Sequence, residues 1–150
     1  MPRSRSWRDD SGSASLEFVM AGLVLLVPLV YLILAVSTIQ AGALAAEGAA
    51  RQAARVFVES TSADAGRDAA AHAVEFALAD HGLDTADVDV AITCIPRPDQ
   101  CLTRHGFVTV DVEIAVALPL IPAALTGDFP LAVTLEASAT QQVSRFRLDG

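Results

Sequence analysis

The rhythm of hydrophobic and polar positions changes along the chain, and each rhythm predicts an element. From Phe18 to Ile39 there is no Asp, Glu, Lys, Arg or His, a run of 22 residues (FVMAGLVLLVPLVYLILAVSTI) with no polar stripe. At ~1.5 Å rise per residue such a segment crosses a hydrocarbon core of ~30 Å, so it predicts a transmembrane helix. From Gln40 to Glu59 the residues remain good helix formers, but a stripe emerges. Ala46, Ala49, Ala50, Ala53 and Phe57 share one face, while Glu47, Arg51, Arg55 and Glu59 form a ladder on another. No stop signal separates the two segments. The helix should therefore project out of the membrane, and a single helix over Glu17–Glu59 would be roughly 60 Å long.

A second helix is expected over about Ala63–Asp80. It has capping-box spacing at Thr61-Ser62-Ala63-Asp64, apolar positions Ala69, Ala70, Ala73, Val74, Ala77 and Leu78, and a stop at His81-Gly82. The period then becomes two. Val88, Val90, Ile92 and Cys94 alternate with polar or small residues, and Val108, Val110, Val112, Ile114, Val116 and Leu118 do the same. After the Pro- and Gly-bearing connection Pro119–Pro130, Leu131, Val133, Leu135 and Ala137 lie on one face of a third strand, with Thr134, Glu136 and Ser138 on the other. The expected fold class is α+β: a long N-terminal transmembrane helix continuing into an exported helix, a second helix, then a three-stranded antiparallel sheet. The expected domains are a leader over 1–12, a membrane helix over 13–40 and an extracytoplasmic α+β domain over 41–150.

Residues 1–12, MPRSRSWRDDSG, are polar and end in a Ser-Gly breaker, so they read as an unstructured leader. The membrane helix should start near Ser13, with Ser13 or Ser15 as N-cap, Glu17 in its first turn and a kink at Pro28. A hydrophobic content of 53% is too apolar for disorder, and about 110 residues beyond Ile39 suffice for one small core. The formal charge is −8, with no lysine. Arg3, Arg5 and Arg8 against Asp9 and Asp10 give residues 1–12 a net +1, leaving −9 on residues 13–150. The acidic body argues against nucleic acid as a partner. The basic leader puts the N-terminus on the cytoplasmic side of the cytoplasmic membrane and Gln40 onward outside, in a single pass. Cys94 and Cys101 then lie in an oxidising compartment.

Cys94 ends the first strand and Cys101 lies across the following loop, a spacing that suits a disulfide stapling the hairpin. The rival is a metal site from Cys94, Cys101 and His105 with Asp99, which has only one thiolate pair and no CxxC. His72, His81 and His105 are scattered without HxH or HExxH spacing and read as solvated. There is no GxSxG elbow, Walker loop, paired apolar carboxylates or catalytic cysteine motif, so neither an enzyme nor a cofactor is expected. The alanine face has two candidate partners, the domain's own second helix or sheet and a neighbouring subunit. The charged ladder reads as a solvated face.

Glu17 stands at the mouth of the uncharged run, where a carboxylate is costly. It can snorkel to the headgroups, take a proton, or pair with a cation from another chain. A cut after Gly12 would supply such a cation, because Ser13 would become an N-terminus bearing an α-amino group near the same depth.

A short basic leader ending in Gly12, then SASLEF with Glu17 fifth and Phe18 sixth after the glycine, then the apolar helix, resembles a type IV prepilin processing site. With AARQAAR at Ala49–Arg55, a small α plus β domain and a cysteine pair, the chain resembles the TadE-like family of minor pilins or pseudopilins in tight-adherence, Flp-type pilus systems. The likeness is densest over Gly12–Arg55. It implies a type IV pilin-like fold and cleavage between Gly12 and Ser13 by a membrane prepilin peptidase. It also implies subunit register through Glu17 and Phe18, and partnership with other pilin subunits and the assembly machinery in a cell-adhesion filament. Pro28 and the long ectodomain depart from the short major Flp pilin and favour a minor subunit.

A different class of function remains open: a secreted or single-pass anchored binding or adhesion module. Arg3–Arg8 would be its n-region, Leu23–Val36 its h-region, and Ala43-Leu44-Ala45 the site for ordinary signal peptidase. An uncharged run of 22 residues is long for that scheme, which also gives Glu17 no role.

Overall fold

The computed structural model describes residues 13–83, 88–120 and 132–147; the leader with Gly12, Leu131 and most of the Pro119–Pro130 connection lie outside the described residues. Five elements follow in order: α1 (Ser13–Glu59), α2 (Ala63–Asp80), β1 (Val88–Ile95), β2 (Phe107–Ala117) and β3 (Ala132–Gln142). This is the α+β, pilin-like architecture expected from the pattern. The chain divides into two compact units, Met1–Val36 and Ser37–Gly150, and the division falls inside α1.

In the first unit, α1 runs through Pro28 without a break. Its residues Val24, Leu25, Leu26 and Val27 are 69%, 73%, 60% and 58% exposed. Four consecutive helical residues point in all directions around the axis, so no side of this segment is covered. A helix that is apolar all round belongs in lipid or among other helices.

In the second unit, α1 changes character. Ala45, Ala46, Ala49, Ala50, Ala53, Ala54 and Phe57 are all at most 1% exposed and belong to one core with α2 and the sheet. The alanine face is thus occupied by the domain's own core. The approach is close. A Cβ at Gly42 would come within 2.7 Å of Val116 Cγ2 and 3.0 Å of Leu135 Cδ1, and one at Gly66 of α2 within 3.0 Å of the Phe57 ring. The opposite face carries the ladder, with Arg51 to Glu47 and Arg55 to Glu59 each at 3.2 Å and well exposed. Such pairs contribute about 0.3–0.5 kcal/mol or less each.

The start of α2 differs by one residue from the capping-box expectation. Ser62, not Thr61, is the N-cap, and its hydroxyl accepts from the Ala65 amide at 3.2 Å. The end is as expected. His81 is the C-cap, Gly82 takes φ +66, and the amides of Gly82 and Leu83 donate to Ala79 and Leu78 carbonyls at 2.9 and 3.1 Å. That reciprocal pair is a Schellman closure, and Leu83 packs back on the core. Gly66, Ala70, Val74 and Leu78 form the buried stripe of α2.

The sheet is an antiparallel meander of order β1-β2-β3. Val88, Val90, Ile92 and Cys94 stand opposite Ile114, Val112, Val110 and Val108 on the core side. Val133, Leu135 and Ala137 stand opposite Val116, Ile114 and Val112. The alternation that predicted the strands is therefore the alternation of burial. Leu118 lies just past the end of β2.

Candidate functional site

Two regions carry candidate functional residues. The first is the start of α1. Ser13 is the first helical residue and Ser15 lies inside the helix, so neither is its N-cap. Glu17 is the fifth residue, one place beyond the first turn, where no acid stands. The dipole support expected for Glu17 is weaker there, because that effect fades after the first turn. Glu17 is exposed and Phe18 is 79% exposed. Gly12, the proposed processing residue, lies outside the described residues.

The second region is the end of the domain where α1 meets the β1–β2 loop. Cys94 and Cys101 are joined in a disulfide, with Cα atoms 5.1 Å apart. Their sulfurs are consumed in that bond, so the rival set with His105 and Asp99 has no thiolate to offer. Closing this loop stabilises the fold by about 2.5 kcal/mol in the chain-entropy picture. Within the loop, Arg97 Nη1 donates to Gln100 Oε1 at 3.3 Å, and Thr103 Oγ1 donates to the Gln100 carbonyl at 2.7 Å. His105 takes φ 60, and the Gly106 carbonyl accepts from the Val143 amide at 2.8 Å, tying the loop to the segment after β3.

That segment delivers Arg147. Its guanidinium donates to the carbonyls of Val58 at 3.0 Å, in the last turn of α1, and of Ser60 and Thr61, the latter at 3.1 Å, in the turn that follows. A cation at the negative end of the helix dipole satisfies groups that the helix itself cannot. The Arg147 carbonyl in turn accepts from Arg104 Nε at 2.7 Å. Together these pieces line an open cleft of about 1080 Å³ between Glu59–Ala63 and Pro96–Arg104, with Arg97, Arg104 and Arg147 as its cations and Glu59 and Asp99 as its acids.

No family model, curated protein or solved structure matches the chain. Of the residues singled out from the sequence, the structure brings Cys94 and Cys101 together and leaves Glu17 and Phe18 outward on a bare helix. It also assembles a group that sequence reasoning missed, Arg97, Arg104 and Arg147. The only available signal was the gathering of arginines in the loop and near the C-terminus, because the contacts of Arg147 span 86 to 89 residues.

Proposed function

We propose that the protein is a non-catalytic, TadE-like minor pilin subunit that serves assembly of a tight-adherence, Flp-type pilus after a prepilin peptidase cuts between Gly12 and Ser13. One observation carries this reading. Glu17 stands five residues after Gly12 on a stretch of helix that is apolar and exposed on every side, while the same helix further on forms the core of a disulfide-bonded domain. A helix–domain chain of that kind suits an exported, membrane-held subunit.

The mechanism is packing. In the membrane, lipid covers Phe18–Ile39; in a filament, neighbouring helices replace lipid, with close contact rather than water exclusion as the gain. A carboxylate taken into that bundle costs several kcal/mol unless a cation meets it. The α-amino group exposed at Ser13 by the cut is that cation, so Glu17 admits only the stagger that brings a neighbour's amine into register. Packing of Gly42 against Val116 and Leu135, and burial of Ala45, count against an ordinary signal-peptidase cut after Ala45, which would strip both residues from the sheet.

N-terminal sequencing of the membrane-extracted protein tests the reading, with Ser13 as the expected first residue. Ala46 would instead mark a signal peptide, and Met1 or Pro2 an uncleaved single-pass anchor. Glu17→Gln should leave the protein in the membrane and abolish its contribution to pilus assembly and surface adhesion; unchanged assembly would remove Glu17 from the mechanism.

A further inference from the structure

The outer face of the sheet is built unlike a merely solvated face. Asp89, Glu113 and Glu136 occupy one register row across all three strands, since Asp89 pairs with Glu113 and Glu113 with Glu136. Neighbouring strands lie ~4.8 Å apart, so the row places three carboxylates within roughly 10 Å. Asp111 adds a fourth on the same face, two residues along β2. Among the described residues this face holds no Arg, Lys or His. Like charges directly opposite each other weaken a sheet, and no cation of this face offsets them.

The matching chemistry sits at the loop end of the same domain. There the cleft presents Arg97 and Arg104, and Arg145 lies over the ring of Phe146 at 4.6 Å, with Phe146 76% exposed. Arginine beside an exposed aromatic ring is a combination enriched in protein–protein interfaces. The two surfaces cannot meet within one chain. Six residues of β2 separate Glu113 from Phe107 at the loop end, about 20 Å along a rigid strand, beyond the reach of an arginine side chain.

We propose that the carboxylate row on the outer sheet face docks the arginine-bearing loop end of a second copy of this chain. The contact is head-to-tail. In a docked pair one copy still offers its free loop end and the other its free face, so the interaction propagates instead of closing into a dimer. It rests on the pilin-like reading only for its biological setting, because the charge complementarity lies within the exported domain. Individual exposed ion pairs are weak, about 0.2–1 kcal/mol each. The docking therefore depends on confinement of the copies to one membrane or one filament, which raises their effective concentration.

The test uses full-length chains co-expressed under two different tags in a host without a pilus system, one chain carrying Glu113→Cys and the other Arg97→Cys. Cys94 and Cys101 are already bonded to each other, so the new thiols are free to report. Mild oxidation of the membranes should yield the mixed 113–97 cross-link in excess over the 113–113 and 97–97 products. Adding Glu136→Arg to the first chain should cut the mixed product about tenfold, and Arg104→Glu in the second should restore it. Protection of Cys94 and Cys101 from alkylation checks that each variant is exported with its staple formed, and resistance of the domain to limited proteolysis checks that it is folded. A dominant 113–113 product would mean that sheet faces meet each other. Absence of any cross-link, with both new thiols open to maleimide, would mean that the surfaces serve another partner; either outcome overturns the proposal. So would a mixed product indifferent to charge reversal. If the mixed product forms and responds to charge while pilus assembly proves independent of the protein, the contact stands and the assembly reading falls.

Discussion

Gly42 and Gly48 lie on the same helix and meet opposite surroundings. A methyl group at Gly42 would press into Val116 and Leu135, whereas one at Gly48 meets nothing within 4 Å. In both places alanine gains about 1 kcal/mol of helix propensity over glycine. At Gly42 that gain is opposed by overpacking of about 1–3 kcal/mol, because β-branched Val116 has little freedom to move aside. We therefore expect Gly42→Ala to lower stability by up to about 2 kcal/mol and Gly48→Ala to raise it by about 0.5–1 kcal/mol. Thermal unfolding of the detergent-solubilised protein, followed by circular dichroism, reads both, and equal shifts of one sign would contradict the close approach at Gly42. Sequence alone treats the two glycines alike, as interruptions in a helical run. What separates them is which strand lies over each, and that is a tertiary fact. The same limit explains Arg147, whose acceptors lie in a turn 86 to 89 residues earlier. Val110 and Phe57 were legible as core because periodicity alone places them on an apolar face.

At the scale of elements, α1 is read most directly from the sequence, since the loss of charge and the later alanine stripe mark its two halves. The second helix was legible to its bounds, but its cap was not. Thr61 and Ser62 are both good caps, and the choice between them depends on how the turn leaves α1. The strands were legible through alternation, which burial enforces along β1 and β2 and along β3 as far as Thr140. The β1–β2 loop was legible only through its cysteines; the cleft it forms with Arg104 and Arg147 depends on packing between segments distant in sequence. The loop's order should depend on the staple. A Cys94→Ser, Cys101→Ser double variant should lose about 2–3 kcal/mol of stability. It should also become sensitive to proteolysis between Pro96 and Arg104 while β2 and β3 remain protected. Limited digestion followed by mass analysis reads this directly, and a loop no more sensitive than in the parent would mean that the Val143–Gly106 tie and the turn bonds hold it without the disulfide.

For the whole molecule, orientation in the membrane and the redox state of the domain are coupled, because a disulfide persists outside and not in the cytosol. The bond between Cys94 and Cys101 is thus a built-in reporter of which side the domain occupies. The orientation should be set by Arg3, Arg5 and Arg8, the cations that precede the apolar run, since the charges that follow it belong to a folded domain, which crosses the membrane largely regardless of its charge. Replacing all three by Glu removes the basic flank. The only cations near the other end of the run are then Arg51 and Arg55, twelve or more residues beyond Ile39. We expect a substantial fraction of this variant to leave its domain in the cytosol, with both cysteines reduced. Alkylation of whole cells before any reductant is added, then mass analysis, should find the two thiols blocked in the parent and modified in the variant. If the variant keeps its cysteines bonded, the leader does not determine the topology. Export would then be directed by the length and apolarity of Phe18–Ile39 alone, and the leader's arginines would be left for another role, such as recognition by the proposed peptidase.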